Sequence, residues 1–297
     1  MKKDYLVSAI AYQGKIRAIA TSTTHLVQEG CRRHQTLPTT SAALGRTLTA
    51  GILFASNLKG EEKYTIRVAG NGPIGEIVID ANAFGQVRGY VHNSQVHFPA
   101  NAKGKLDVAR AVGTQGIVSV VKSFGSEYNF TGQTPIITGE IAEDLASYLV
   151  NSEQIPSALA LGVLVNPDGR IAASGGYLIQ AMPGCDDATL TQMEMVIKAA
   201  KPISTLLFEG KTPEDVLKTL IPENNLTILN TKDITFKCTC SRERTESTLK
   251  LLGQAELEDM IKVQHGADVH CNFCSEHYAF SEQDLKSIIL KLNHPQH

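Results

Sequence analysis

Four of the six cysteines in this chain stand in two close pairs, Cys238-Thr239-Cys240 and Cys271-Asn272-Phe273-Cys274, with 30 residues between them. Paired cysteines joined by a short folded excursion suit tetrahedral zinc: each pair supplies two thiolates from one tight turn, and the excursion brings the pairs together. The spacing predicts one zinc ion per chain, held by Cys238, Cys240, Cys271 and Cys274. It also predicts a second chemistry. Thiolates are the nucleophilic form of cysteine, so an oxidant can convert the pairs to disulfides and expel the metal. Each pair is close enough in sequence to close on itself. Structural zinc contributes on the order of 10 to 16 kcal/mol of apparent binding energy in small domains, so its loss would be a folding event. Spacing alone leaves two readings, a redox switch and a purely structural zinc module.

His265, His270 and His277 lie nearby and could each replace one sulfur, but a complete cysteine set needs no histidine. They are read as surface residues. Cys31 and Cys185 stand alone and are read as ordinary small core or surface positions.

The elements that must position the cysteines follow from the surrounding pattern. The excursion reads as two helices, 242 to 252 ended by Gly253 and 254 to 265 ended by Gly266. Ile234-Thr235-Phe236 and His277-Tyr278-Ala279-Phe280 read as strands, and Ser281-Glu282-Gln283-Asp284 caps a final helix bearing Leu285, Ile288, Ile289 and Leu292. Residues 232–297 are thus expected to form a small zinc-binding α+β domain. Before it, 186–231 reads as a linker of short amphipathic helices. Thr191-Gln192-Met193-Glu194 matches a capping box for one helix, and Thr212-Pro213-Glu214-Asp215 opens another. Their apolar faces carry Met193, Val196, Ile197, Leu206, Leu207, Phe208, Leu217 and Leu220. Helices this short are marginal alone and must dock on something.

Residues 1–185 read as an α+β core. Strand patterns at 5–11, 15–20, 64–68, 76–80, 87–91 and 116–121 are separated by short turns, which favours antiparallel meanders over parallel crossovers. Helices are expected over about 40–58 and 140–150, and two more strands at 159–165 and 177–179. The fold class is therefore α+β, with an antiparallel-sheet N-terminal core, a helical linker and a small zinc-binding end.

Composition narrows the function. The 297 residues carry 28 Lys+Arg against 30 Asp+Glu, a net charge of −2, which is a poor match for bulk binding of phosphate backbones. The stretch 238–274 has four basic residues against six acidic ones, and 186–231 has four lysines against seven acids. A zinc-ribbon nucleic-acid-binding or RNA-modifying protein is the alternative that these charges disfavour. No secretion signal or membrane-length apolar run is evident, so a cytoplasmic location is expected, where clustered cysteines point to metal or redox chemistry.

Weaker motifs have plainer explanations. Gly70-Asn71-Gly72-Pro73-Ile74-Gly75 matches G-x-G-x-x-G but leads into a strand pattern, so it reads as a turn and not a dinucleotide site. Two S-x-x-K matches, at Ser56 and Ser247, show how easily that pattern arises. Glu140, Glu143 and Asp144 read as favourable charge at a helix N-terminus. No catalytic constellation stands out, and the chain is not expected to be an enzyme.

Several stretches resemble one family. Cys238-Thr-Cys-Ser-Arg-Glu-Arg244, the Cys271-Asn-Phe-Cys274 knuckle followed by Tyr278-Ala-Phe280, Gly139-Glu-Ile-Ala-Glu-Asp-Leu-Ala146, Ser152-Glu-Gln-Ile-Pro-Ser-Ala158 and Gly175 to Gly184 are similar to the bacterial 33 kDa heat shock protein family. The resemblance covers essentially the whole chain. It implies an ATP-independent holdase chaperone of the stress response, zinc-bound and inactive when reduced. It further implies that oxidation pairs Cys238 with Cys240 and Cys271 with Cys274, unfolding the zinc unit and destabilising the linker, whose apolar residues Met193 to Leu220 named above are then the candidate contacts for clients. Unfolding client proteins, downstream refolding chaperones and a second copy in an activated homodimer are the partners it implies, with no nucleic acid and no membrane.

Overall fold

The computed structural model describes residues 3–101, 104–125 and 128–293. In chain order the elements begin with β1 (Tyr5–Ala11), β2 (Ile16–Ser22), α1 (Thr24–His34), α2 (Pro38–Phe54), β3 (Lys63–Gly70), β4 (Glu76–Asn82) and β5 (Gln86–Val91). Next come α3 (Val108–Val112), β6 (Gly116–Ser123), β7 (Asn129–Pro135), α4 (Ile141–Asn151), β8 (Ser157–Val165) and β9 (Ile171–Ala181). Then follow α5 (Asp187–Ala199), α6 (Ile203–Phe208), α7 (Pro213–Leu220), β10 (Leu226–Asp233) and β11 (Thr235–Phe236). The chain closes with α8 (Arg242–Lys250), α9 (Gln254–Gln264), β12 (Gly266–His270), β13 (His277–Ser281) and α10 (Glu282–Asn293). Two compact units result, residues 1–237 and 238–297.

The first unit is built from two sheets, ordered β10-β1-β2-β9-β8 and β11-β5-β4-β3-β6-β7. Every pairing is antiparallel except β11 alongside β5, as short hairpin connections require. Helix α2 lies between the sheets, packing on β8 and β9 of one and on β3, β4 and β5 of the other. Nearly all its residues are buried, which is why its sequence is apolar or small around the whole circumference. Small residues let the sheets close in: a Cβ at Gly51 would stand 2.4 Å from Ile79 Cδ1. The central strands β1, β2 and β9 of the five-stranded sheet are buried on both faces. Leu6 and Ile19 point to the α2 side, while Val7, Ala9, Ala11, Ile16, Ala18 and Ala20 point to the other, following the period of two.

That second face is covered by α5, α6 and α7. Met193, Leu206, Leu217 and Leu220 are buried against it, Val196, Ile197 and Leu207 are partly buried, and Phe208 alone of the eight predicted contact residues is strongly exposed, at 62%. The segment 186–231 is therefore part of the first unit, docked on its sheet. It also ends in a strand where helix texture was expected: β10 pairs with β1 along its whole length, Tyr5 opposite Asp233 and Ala11 opposite Leu226. Residues 232–237, which the cysteine pattern had assigned to the zinc domain, complete β10 and form β11 in this first unit.

Local signals met mixed outcomes. Thr212 and Asp215 form a reciprocal capping box at α7, with Pro213 at the first helical position. The expected box at Thr191 is corrected: α5 starts five residues earlier, capped by Asp186, whose Oδ1 accepts from Thr189 N at 2.9 Å. Asp186 is also fixed by an ion pair with Lys15, a partner 171 positions away that no local motif reveals. The G-x-G-x-x-G segment is the turn from β3 to β4, as its context predicted. Its glycines answer a backbone approach, since a Cβ at Gly72 would lie 2.2 Å from the Ala111 carbonyl oxygen.

Candidate metal centre

In the second unit, residues 238–240 lead into α8 and residues 271–276 form the loop joining β12 to β13. The first turn is pinned from α8. Ser241 caps that helix by accepting from Arg244 N at 3.2 Å, and Arg244 Nη1 reaches back to Thr239 O and Oγ1, each at 2.9 Å. Arg242 bonds Ala279 O at 2.7 Å and Asp284 at 3.0 Å and lies 4.2 Å from the Phe280 ring centroid, tying α8 to β13 and α10. The second turn is a tight knuckle. Ser275 N donates to Cys271 O at 2.7 Å and Cys271 N to Glu276 O at 2.9 Å, with Ser275 in the left-handed region at φ 56°. The Ser-Arg-Glu-Arg extension and the residues behind the knuckle thus aim both cysteine pairs at one point.

The four sulfurs all lie within 4.8 Å of one another. Cys238 approaches Cys271 to 3.8 Å and Cys240 approaches Cys274 to 3.3 Å. A tetrahedron with Zn–S bonds of about 2.3 Å has sulfur edges of about 3.8 Å, so the spacing of the thiols suits a zinc-sized ion. Burial pushes the Cys271 and Cys274 thiols above the usual cysteine range, so the metal-free sulfurs hold their protons and metal uptake would release them. Tyr278 Oη donates to Cys240 Sγ at 3.2 Å, and that bond raises the tyrosine in turn.

The three histidines do not join the group. His265 Nδ1 pairs with Glu282 at 2.9 Å, His277 Nε2 pairs with Asp268 at 2.8 Å, and His270 stacks on His277 with centroids 4.6 Å apart. Cys31 is buried in the first unit against Ser41 O, and Cys185 lies half-buried beside Asp186. Glu140 forms an ion pair with Arg46, and Asp144 Oδ1 accepts from Ile137 N and Thr138 N at 2.9 Å each, so these acids serve the start of α4. Among the described residues the four cysteines form the sole cluster of three or more metal-ligating side chains. The anchoring roles of Arg242, Arg244 and Tyr278 were visible in the sequence only as parts of a family pattern, because their partners are brought in by the fold.

Fold and site together define a class: an α+β protein of two units, the larger with helices docked on its sheet and the smaller closed by a converging four-cysteine cluster. A family model described as Hsp33 protein matches residues 4–281. The chain belongs to the Hsp33 family. A 33 kDa chaperonin of Staphylococcus haemolyticus is 50% identical over 293 residues, covering 99% of this chain and 100% of the relative. A 33 kDa chaperonin of Bacillus subtilis is 51% identical over 285 residues, 96% of this chain and 98% of the relative. The crystal structure of the 33 kDa chaperonin of Thermotoga maritima matches with a TM-score of 0.92 at 36% identity, covering 98% of this chain and 100% of that one. The α+β architecture expected from the sequence is the architecture of this family. No helix among the described residues is long and apolar enough to cross a membrane.

Proposed function

We propose that this protein is a redox-regulated, ATP-independent holdase chaperone of the cytoplasm, binding unfolding and oxidatively damaged proteins. Membership of a family whose relatives are named chaperonins supports the chaperone reading. The observation that carries the regulation is the cluster of four thiols within 4.8 Å, closing a unit whose apolar cluster is built on six buried residues among those described. Bound by Cys238, Cys240, Cys271 and Cys274, zinc would hold four thiolates at one point and contribute folding free energy to a unit with little core.

Oxidation removes that support. In each pair two thiolates give two electrons to one molecule of peroxide; one S–S bond forms, the O–O bond breaks, and two protons taken up from solvent complete two waters. Two peroxides consume all four thiols, as Cys238–Cys240 and Cys271–Cys274. Sulfurs tied in disulfides no longer offer thiolates, and residues 238–297 lose the tie between α8 and the β12–β13 loop. The linker segment 186–231 then detaches and bares the apolar face carrying Met193, Val196, Ile197, Leu206, Leu207, Phe208, Leu217 and Leu220, the contact surface for clients. The active form is a homodimer that passes clients to refolding chaperones. Catalysis has no part in this reading.

The test holds a client protein at its aggregation temperature and follows light scattering with the reduced or the peroxide-treated protein at equal concentration. Suppression by the oxidised form alone is the expected outcome. Equal failure of both forms, or equal suppression by both, would overturn the switch.

A further inference from the structure

We propose that the Tyr278 hydroxyl is a positioning group that restrains Cys240 from attacking the oxidant, so that the chain itself sets the order in which its sulfurs are consumed. This rests on the reading of the cluster as a peroxide-sensitive metal site. Tyr278 Oη donates to Cys240 Sγ at 3.2 Å across 38 positions of sequence. Its place is held by the fold: Tyr278 stands opposite Val269 in the β12–β13 pair, and its ring packs against the unit's small core. Thr239, next to Cys240, is gripped by Arg244, so the sulfur is kept beneath the hydroxyl.

The four sulfurs are not equally sheltered. Cys274 is buried, at 2% exposure, whereas Cys238, Cys240 and Cys271 are half-buried. Burial therefore guards Cys274, and Cys240 is guarded by the hydroxyl. In the oxidation step a sulfur lone pair attacks one peroxide oxygen, an S–O bond forms, and the O–O bond breaks to release hydroxide, which takes up a proton as water. A second cysteine sulfur then attacks the sulfenic sulfur. The S–S bond forms, the S–O bond breaks, and the oxygen leaves as a second water. A hydrogen bond donated to the attacking sulfur draws on the same lone-pair density and lowers its nucleophilicity.

The experiment uses the full-length reduced protein and the variant Tyr278→Phe, which keeps the ring and removes the donor. Zinc content is measured first, then the rate of zinc release in peroxide with a chromogenic chelator, then the alkylation rate of each cysteine by iodoacetamide with mass-spectrometric readout. We expect zinc release to quicken about threefold or more, with Cys240 alkylation quickened and Cys238, Cys271 and Cys274 unchanged. Val269→Ala loosens the packing under the ring without touching the hydroxyl, and it should not single out Cys240. An unchanged Cys240 rate in Tyr278→Phe, or equal acceleration of all four cysteines, would overturn the inference. If the wild-type protein carries no zinc, the metal reading fails, while the Cys240 comparison still decides the inference, because the hydrogen bond involves protein atoms alone.

Discussion

Asp4 is 6% exposed at the start of β1, and its carboxylate accepts from Leu26 N at 2.7 Å and from the neighbouring amides of Thr24 and His25. These donors favour the charged form, yet burial outweighs them and raises the pKa from 3.8 to about 6. The folded chain thus binds this proton more tightly than the unfolded chain. Asp4's contribution to stability is fully present below the unfolded value and is lost as pH rises through about 6. The loss is on the order of 1 to 3 kcal/mol. Unfolding midpoints of the reduced protein, taken between pH 4.5 and 7, should fall more steeply with pH in the wild type than in Asp4→Asn. Parallel curves would show that burial does not govern Asp4. Residue identity announced Cys238, Cys240, Cys271 and Cys274 as a set because thiol pairs are rare and their spacing is local. It did not announce Arg242, Arg244 and Tyr278, whose roles exist only once α8, β13 and the knuckle meet.

Among the elements, α7 shows how local and tertiary signals combine. Its Thr212–Asp215 box and Pro213 start define it in the sequence, and Val216, Leu217 and Leu220 bury it against β2 and β1. Thr212→Ala should cost about 1 kcal/mol of local stability. Amide hydrogen exchange over 214–220 should speed up by about fivefold in the reduced protein, with the amides of β3 and β4 unchanged. Equal exchange in both proteins would mean that packing alone holds the helix. Two of the strands not expected from the sequence share one property. Strand β7, Asn-Phe-Thr-Gly-Gln-Thr-Pro, has one apolar residue, and β10 is mostly exposed, so neither shows the alternation that marks a half-buried strand. Both are edge strands, paired on one side, and pairing rather than pattern makes them strands.

At the scale of the molecule, the two units differ in what supports them. Residues 1–237 hold two extensive apolar clusters on either side of the five-stranded sheet, whereas the apolar cluster among the described residues of 238–297 is built on six buried residues, Leu249, Leu257, Ala267, Phe280, Leu285 and Ile288. A strong chelator added under reducing conditions should therefore unfold the small unit and spare the large one. Hydrogen exchange should reach the unprotected rate in α8, α9 and α10 while α2 and β3 keep their protection. Retained protection in α8–α10 after complete metal removal would show that the six-residue core suffices.

The paired cysteines, the α+β class and the positions of most elements are legible in the linear sequence, because thiol spacing, apolar period and capping residues act over a few positions. The assembled fold alone sets the docking of 186–231 on the sheet, the return of 226–236 as strands to the first unit, and the meeting of the Tyr278 hydroxyl with the Cys240 sulfur. Those outcomes depend on surfaces and partners tens to hundreds of residues apart, where burial and pairing override local preference.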